Sequence, residues 1–108
     1  MFIQKSADGY IPAVDGIRRK TLAYGTNSLM TEFLLEKGKI LPAHSHPQEQ
    51  TGYLVAGKII LTIGQKKYEV NPGDSWSIPG GTEHGAEIVE NSVAVEVFAP
   101  PREDYLPL

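Results

Sequence analysis

The 108-residue chain contains no cysteine, no long apolar run and no long stretch of basic charge. The absence of cysteine excludes disulfides, zinc–thiolate sites, iron–sulfur clusters and cysteine nucleophiles, and it fits a reducing compartment. No apolar stretch approaches the ~20 residues of a membrane helix, and the first residues lack a signal-peptide pattern. We therefore expect a cytoplasmic protein without a membrane partner. Ten basic and 13 acidic residues give a net charge of −3, so we expect no nucleic-acid partner.

Helical periodicity is also missing, because 11 glycines and eight prolines interrupt the chain every few residues. The segments between them have the apolar or alternating character of short strands. Segments 58–63 and 68–70, joined by a turn at 64–67, predict a hairpin. Further strands are predicted at 29–35, 53–56, 76–78, 86–89 and 93–98, with turns at 71–74, 79–81 and 90–92 and an extended tail at 100–105. This pattern predicts one all-β domain, an antiparallel barrel or sandwich of six to eight strands.

The chain has three histidines, and two of them form a His-x-His pair. In a strand, the side chains of His44 and His46 share one face. His84 follows 38 residues after His46 and would meet the pair if the two strands are neighbours. Converging imidazoles form a chelate for a metal ion. The pair alone is a weak signal, since surface histidines also occur without a function.

Glycine, proline and histidine recur at fixed spacings in two blocks, residues 38–57 and 73–88. The first block has the order Gly-x5-His-x-His-x3-Gln-x6-Gly, and the second contains Gly-x5-Pro-Gly-Gly-x2-His. The blocks resemble the two motifs of the cupin superfamily, whose members are small antiparallel β-barrels of jelly-roll type that hold a metal. The resemblance implies a single cupin domain over residues 1–108. It also implies a divalent metal bound by four residues, namely His44, His46, Gln50 and His84.

Gln50 stands where the cupin motif usually has glutamate. The neighbouring Glu49 is one position off the motif and has the opposite strand parity to the histidines, so Gln50 is the better ligand candidate. Neutral ligands leave the full charge of the ion uncompensated, which predicts a stronger Lewis acid than in glutamate-containing relatives. Nitrogen and oxygen ligands suit Ni, Zn, Mn, Fe or Cu, and the sequence does not choose among them. A cupin that keeps the histidines without binding a metal remains an alternative.

The alternation along segment 93–98 places Glu96 and Phe98 on one face and three valines on the other. The valine face is the more apolar, so it is predicted to form the core and leave Glu96 and Phe98 exposed. If the other face lines the barrel, Glu96 is a carboxylate in an apolar cavity, a setting suited to proton transfer. Arg102 follows two prolines, and it either reaches over the barrel mouth or forms a surface salt bridge with one of the next two acids.

Segments 44–50 and 95–106 are similar to the pectin-degradation cupins labelled KdgF, which open unsaturated uronic acids to linear keto sugars. The similarity implies a homodimeric, metal-dependent enzyme that performs a lyase or isomerase-like step on a small sugar acid. Glu96 takes the place of that family's catalytic aspartate on a longer side chain, Arg102 would hold the substrate carboxylate, and Phe98 would wall the pocket. Two alternatives stay open, an iron or copper dioxygenase of cupin type and a non-catalytic sugar-binding or sensor module.

Overall fold

The structure, a computed structural model, describes residues 1–107 as an antiparallel β fold. Within that range there are eight strands, one short 3₁₀ turn and no α-helix, so no helix there is long and apolar enough to cross a membrane. The strands are β1 (Ile11–Val14), β2 (Ile17–Tyr24), β3 (Leu29–Leu35), β4 (Ile40–His44), β5 (Glu49–Ile63), β6 (Lys66–Val70), β7 (Ser75–Ile78) and β8 (His84–Ala99), and the 3₁₀ turn spans Glu103–Tyr105.

Two long strands, β5 and β8, pair with each other over nearly their whole length and organise the fold. The strand order is β1-β2-β3-β8-β5-β6, with β4 added to β8 and β7 added to β5. Buried apolar residues of β2 and β3 join those of β5 and β8 in one core cluster. The strands therefore fold over a common interior, as the predicted jelly-roll requires, and the all-β prediction is confirmed.

The predicted turn at residues 90–92 is wrong, because β8 continues through these residues, and β5 likewise continues through Gly57. The register between them shifts around Gly57, whose φ of 91° lies in the left-handed region that favours glycine. A Cβ at Gly57 would also collide with Ser92. The Ser92 hydroxyl in turn accepts a hydrogen bond from the backbone N–H of Lys58 at 3.0 Å. Bulges of this kind bend a strand pair and let one strand serve both sides of the interior.

The hairpin between β5 and β6 is confirmed, with Ile63 opposite Lys66 at its end. Strands β1 and β2 lie in a region for which no strand was predicted. The sequence of β2 hides its pattern, because only Ile17 of its eight residues is buried and two arginines and a lysine follow directly. The tail prediction is wrong at Glu103–Tyr105, where the chain forms the 3₁₀ turn.

The predicted orientation of segment 93–98 is also wrong. Ala94 and Phe98 are 3% and 1% exposed, whereas the three valines of the other face are each partly exposed. Glu96 shares the inner face and lines the cavity described below. The interior accommodates this carboxylate because hydrogen-bond donors from other strands contact it there. The apolar pattern of a single strand does not reveal such donors.

Candidate metal centre and cavity

Strand pairing brings the three histidines together at one end of the interior. His44 ends β4, His84 begins β8, and the two are direct cross-strand partners. His46 lies in the loop after β4, so the expectation that both residues of the pair sit on one strand is wrong. One nitrogen from each of the three rings lies within 4.8 Å of the others. The convergence predicted from the spacing is therefore present.

The backbone fixes how the three rings are oriented. In each ring Nδ1 lies 2.8 to 3.1 Å from the carbonyl oxygen of a residue two positions away. A carbonyl can only accept, so in the neutral rings Nδ1 carries the proton and Nε2 presents its lone pair. Second contacts of this kind hold metal-binding histidines in position.

The environment of the rings fits a divalent metal ion. His84 is 3% exposed, and its Nε2 is buried without a hydrogen-bond partner among the described residues. Burial lowers the pKa of both His84 and His46, which favours the neutral imidazole that binds metals. A buried nitrogen lone pair without a donor is costly, and a cation would satisfy it.

Gln50 provides an independent indication of a cation. Its side chain is buried, its Nε2 donates to the Glu96 carboxylate, and its Oε1 therefore points at His46 Nε2, 2.9 Å away. Turning the amide over would set its oxygen against the carboxylate. With His46 neutral and Nδ1 protonated, two acceptor atoms face each other at 2.9 Å, an arrangement that a shared cation stabilises. The three histidines and Gln50 would together hold such an ion, whereas Glu49 is exposed.

Gln50 and Trp76 together hold the carboxylate of Glu96. Oxygen Oε1 accepts a hydrogen bond from Gln50 Nε2 and another, of 3.0 Å, from Trp76 Nε1. Burial raises the pKa of Glu96, and the two donors and the charge of Arg102 oppose that rise. No hydrogen bond to the other oxygen, Oε2, is found within residues 1–107. Glu96 thus has one oxygen held in place and one available.

Sequence reasoning missed Trp76, although a signal for it exists. Gly52 on β5 lies between Trp76 on β7 and Glu96 on β8 in the strand register. A Cβ at Gly52 would collide with the indole of Trp76. The glycine within an apolar strand thus gives the indole the room to reach Glu96.

Three of the candidate metal ligands, His44, Gln50 and His84, line a cavity of about 410 Å³. This volume lies within the range of roughly 300–1,000 Å³ typical of small-molecule sites. Apolar side chains form most of the wall, and a few polar groups converge within it. The residues that provide these polar groups are His44, Gln50, Trp76, His84, Glu96, Arg102, Arg19, Asp104 and Tyr105.

The C-terminal segment forms part of the cavity wall through Arg102, Asp104 and Tyr105. The Arg102 guanidinium lies 5.3 Å from the ring centre of Phe98 and donates to the Tyr105 hydroxyl at 3.1 Å. It also pairs with the Asp104 carboxylate at 3.3 Å. Arg102 therefore lines the cavity and forms the local salt bridge, and its pairing with a ligand carboxylate stays a prediction. The Tyr105 ring packs edge-on against Phe98 at 5.4 Å between centroids.

Comparison with known proteins identifies the family. Residues 31–99 match the family model described as a cupin domain, and the chain belongs to the cupin family. It is 31% identical over 94 residues to the pectin degradation protein KdgF of Dickeya dadantii (strain 3937), covering 85% of this chain and 86% of that protein.

Solved structures agree with this assignment. The structure of KdgF from Halomonas sp. aligns with a TM-score of 0.92 and 28% identity, over 98% of each chain. An RmlC-like cupin from Shewanella frigidimarina aligns with a TM-score of 0.91 and 23% identity, over 97% of this chain and 95% of that one. The second likeness is one of fold alone.

Proposed function

We propose that the protein is a metal-dependent enzyme that opens the ring of 4,5-unsaturated uronates derived from pectin or alginate. Its similarity to KdgF supports this substrate class. The structural observation that carries the proposal is a carboxyl group, Glu96, that is hydrogen-bonded to the candidate ligand Gln50 and lines the same cavity as His44 and His84. Proton transfer next to a Lewis acid is what this arrangement can perform.

The reaction is an isomerisation that consumes no co-reactant. A proton leaves the anomeric hydroxyl, the bond between C1 and the ring oxygen breaks, and C1 becomes an aldehyde while the former ring oxygen becomes an enolate oxygen at C5. Return of that proton to C4 then gives the C5 ketone, so atoms and charge balance. The metal bound by three histidines and Gln50 would supply Lewis acidity at a substrate oxygen.

Glu96 is the residue that we assign to the proton transfers. Its Oε1 is held by two donors, so Oε2 is the atom that takes the proton from the anomeric hydroxyl and delivers one to C4. Burial raises the pKa of Glu96, which moves a carboxylate toward the range where it works as both acid and base near neutral pH. Arg102 holds the substrate carboxylate at the cavity mouth, and Phe98 forms the wall beneath it and excludes water.

The proposal is tested with the full chain loaded with Ni²⁺, Zn²⁺, Mn²⁺ or Fe²⁺ in turn. Ring opening removes the C4–C5 double bond, so the ultraviolet absorbance of 4,5-unsaturated galacturonate should decay faster than in buffer, and chelation should abolish the effect. Decay at the buffer rate with every metal contradicts the proposal. Uronate binding without turnover would support the sensor alternative, and oxygen uptake would support the dioxygenase alternative.

A further inference from the structure

A second arginine, Arg19, lines the same cavity from another strand. It lies on β2 between Ile17 and Thr21, on the face that turns inward, and its side chain lines the cavity. The preceding Arg18 is exposed on the outer face. Within residues 1–107, no carboxylate lies within ion-pair distance of Arg19. Its Nη2 donates to the backbone carbonyl of Asp104 at 3.2 Å, and among these residues its positive charge has no counter-ion.

Arg19 and Arg102 converge on the ring of Tyr105. The guanidinium carbon of Arg19 lies 4.0 Å from the ring centroid, and that of Arg102 lies 4.1 Å from it. The two carbons are therefore no more than about twice that distance apart. Among the residues that the structure describes, the acid paired with Arg102 is Asp104, whose side chain is 64% exposed, and exposed ion pairs of this kind contribute little to stability. The cavity wall thus holds two cations, and within residues 1–107 the exposed Asp104 is the one acid in an ion pair with either of them, although the charge of Arg102 also acts on the buried Glu96.

We propose that Arg19 and Arg102 together bind the carboxylate of the sugar acid, with Arg19 as a specificity-determining anchor that acts beside Arg102. This inference rests on the proposed function and extends it to a residue outside segments 44–50 and 95–106. A guanidinium has five N–H donors in a planar fork that matches a carboxylate. Each arginine uses only part of this set on the protein, so both have donors left for an anion. A carboxylate in contact with both also offsets their mutual repulsion.

The first experiment measures binding without turnover. Galacturonate lacks the C4–C5 double bond, so its binding to the metal-loaded chain can be followed by calorimetry and by the fluorescence of Trp76, the one tryptophan of the chain. Arg19→Gln should weaken galacturonate binding by about 10- to 100-fold, the loss expected for a hydrogen bond to a charged group. Its affinity for the neutral methyl ester should stay within about twofold. Arg18→Gln, which removes the same charge from the outer face, should change neither.

The second experiment separates a role of Arg19 in substrate binding from a role in holding the 3₁₀ turn in place, because Arg19 also contacts that turn. Thr21→Val removes the hydrogen bond from the Thr21 hydroxyl to the Tyr105 carbonyl without changing charge. It should leave galacturonate affinity within about threefold of wild type, and Arg19→Lys should recover part of the affinity lost in Arg19→Gln. With the unsaturated substrate, Arg19→Gln should raise KM and leave kcat nearly unchanged.

The outcomes distinguish this inference from the proposed function. Wild-type turnover and galacturonate binding, with Arg19→Gln equal to wild type, overturn the role of Arg19 alone. If Thr21→Val and Arg19→Gln lose the same affinity for galacturonate, or if Arg19→Gln loses the same affinity for the acid and for its methyl ester, Arg19 only holds the 3₁₀ turn in place. Either result also overturns its role in binding. If the wild-type chain binds no uronate, both the proposed function and the inference fall.

Discussion

Replacing Glu96 with glutamine separates the chemistry of this residue from its packing. Glutamine has the same shape, and its amide oxygen can accept both hydrogen bonds that Oε1 accepts from Gln50 and Trp76. The substitution therefore keeps the site assembled and removes the group that moves the proton. General acid–base catalysis contributes about 10²- to 10⁴-fold to rates, equivalent to roughly 3 to 5 kcal/mol of barrier. We expect kcat of Glu96→Gln to fall within this range while KM changes little.

The assay is the decay of ultraviolet absorbance with metal-loaded wild type and variant at equal metal content. Glu49→Gln is the matched control, since it makes the same change at the exposed residue preceding Gln50 and should retain full activity. An activity of Glu96→Gln within about threefold of wild type would refute the assigned role, because transfer through a carboxylate cannot survive its removal.

Stability provides a second readout of the same variant. Because burial raises the pKa of Glu96 in the folded protein, the native state binds that proton more tightly than the unfolded chain. The contribution of Glu96 to the free energy of unfolding therefore declines as pH rises from the unfolded pKa, near 4.3, through the higher folded pKa. In metal-free protein at pH 8, Glu96→Gln should have a higher free energy of unfolding than wild type, as measured by urea unfolding. The difference between variant and wild type should be smaller at pH 5. A relative gain that is larger at pH 5 would contradict the direction of the shift.

Three further predictions concern the surroundings of the site. Trp76→Phe keeps an aromatic ring but removes the indole donor to Glu96. It should lower kcat by about tenfold with unchanged metal content, because one hydrogen bond to a charged group is lost. Unaltered kcat would show that this donor is dispensable. Gln50→Glu replaces the hydrogen-bond donor to Glu96 with a second carboxylate. Repulsion between the two carboxylates should lower activity at least about tenfold. Full activity would contradict the role of the Gln50 amide as a donor to Glu96. The expected homodimer should give twice the 11.8 kDa chain mass in light scattering. Candidate contact residues are Tyr53 and Val55, each about half exposed. A mass equal to one chain would contradict the dimer.

The candidate metal ligands were predictable from the sequence because the spacing of the three histidines along the chain determines where they meet. His44 ends β4, His46 lies just beyond it, and His84 opens β8 directly opposite His44. The two long strands were harder to predict, since the glycine and polar residues at their bends have the composition of turns. Only pairing along both sides of β8 shows that the chain continues. The ligands thus follow from local spacing, while the strand lengths follow from long-range pairing.

The proton-transfer side of the site was less accessible to sequence reasoning. The three valines beside Glu96 made their own face look like the core, because apolarity along one strand carries no information on the donors that other strands supply. Trp76 reaches Glu96 across the space left by Gly52, and Arg19 comes from a strand whose charged sequence hides its inward face. Each of these contacts joins residues far apart in the chain, which patterning within a single segment cannot reveal.

The central claim is that three imidazoles and one carboxamide form a site for a divalent metal ion. Calorimetric titration of chelator-treated chain with Ni²⁺ or Zn²⁺, combined with elemental analysis, tests it most directly. We predict one ion per chain in the wild type and a loss of at least about tenfold in affinity in His44→Ala, whose partly exposed position makes the substitution tolerable to the fold. Failure of the wild-type chain to bind either ion, or equal affinity in His44→Ala, would contradict the claim.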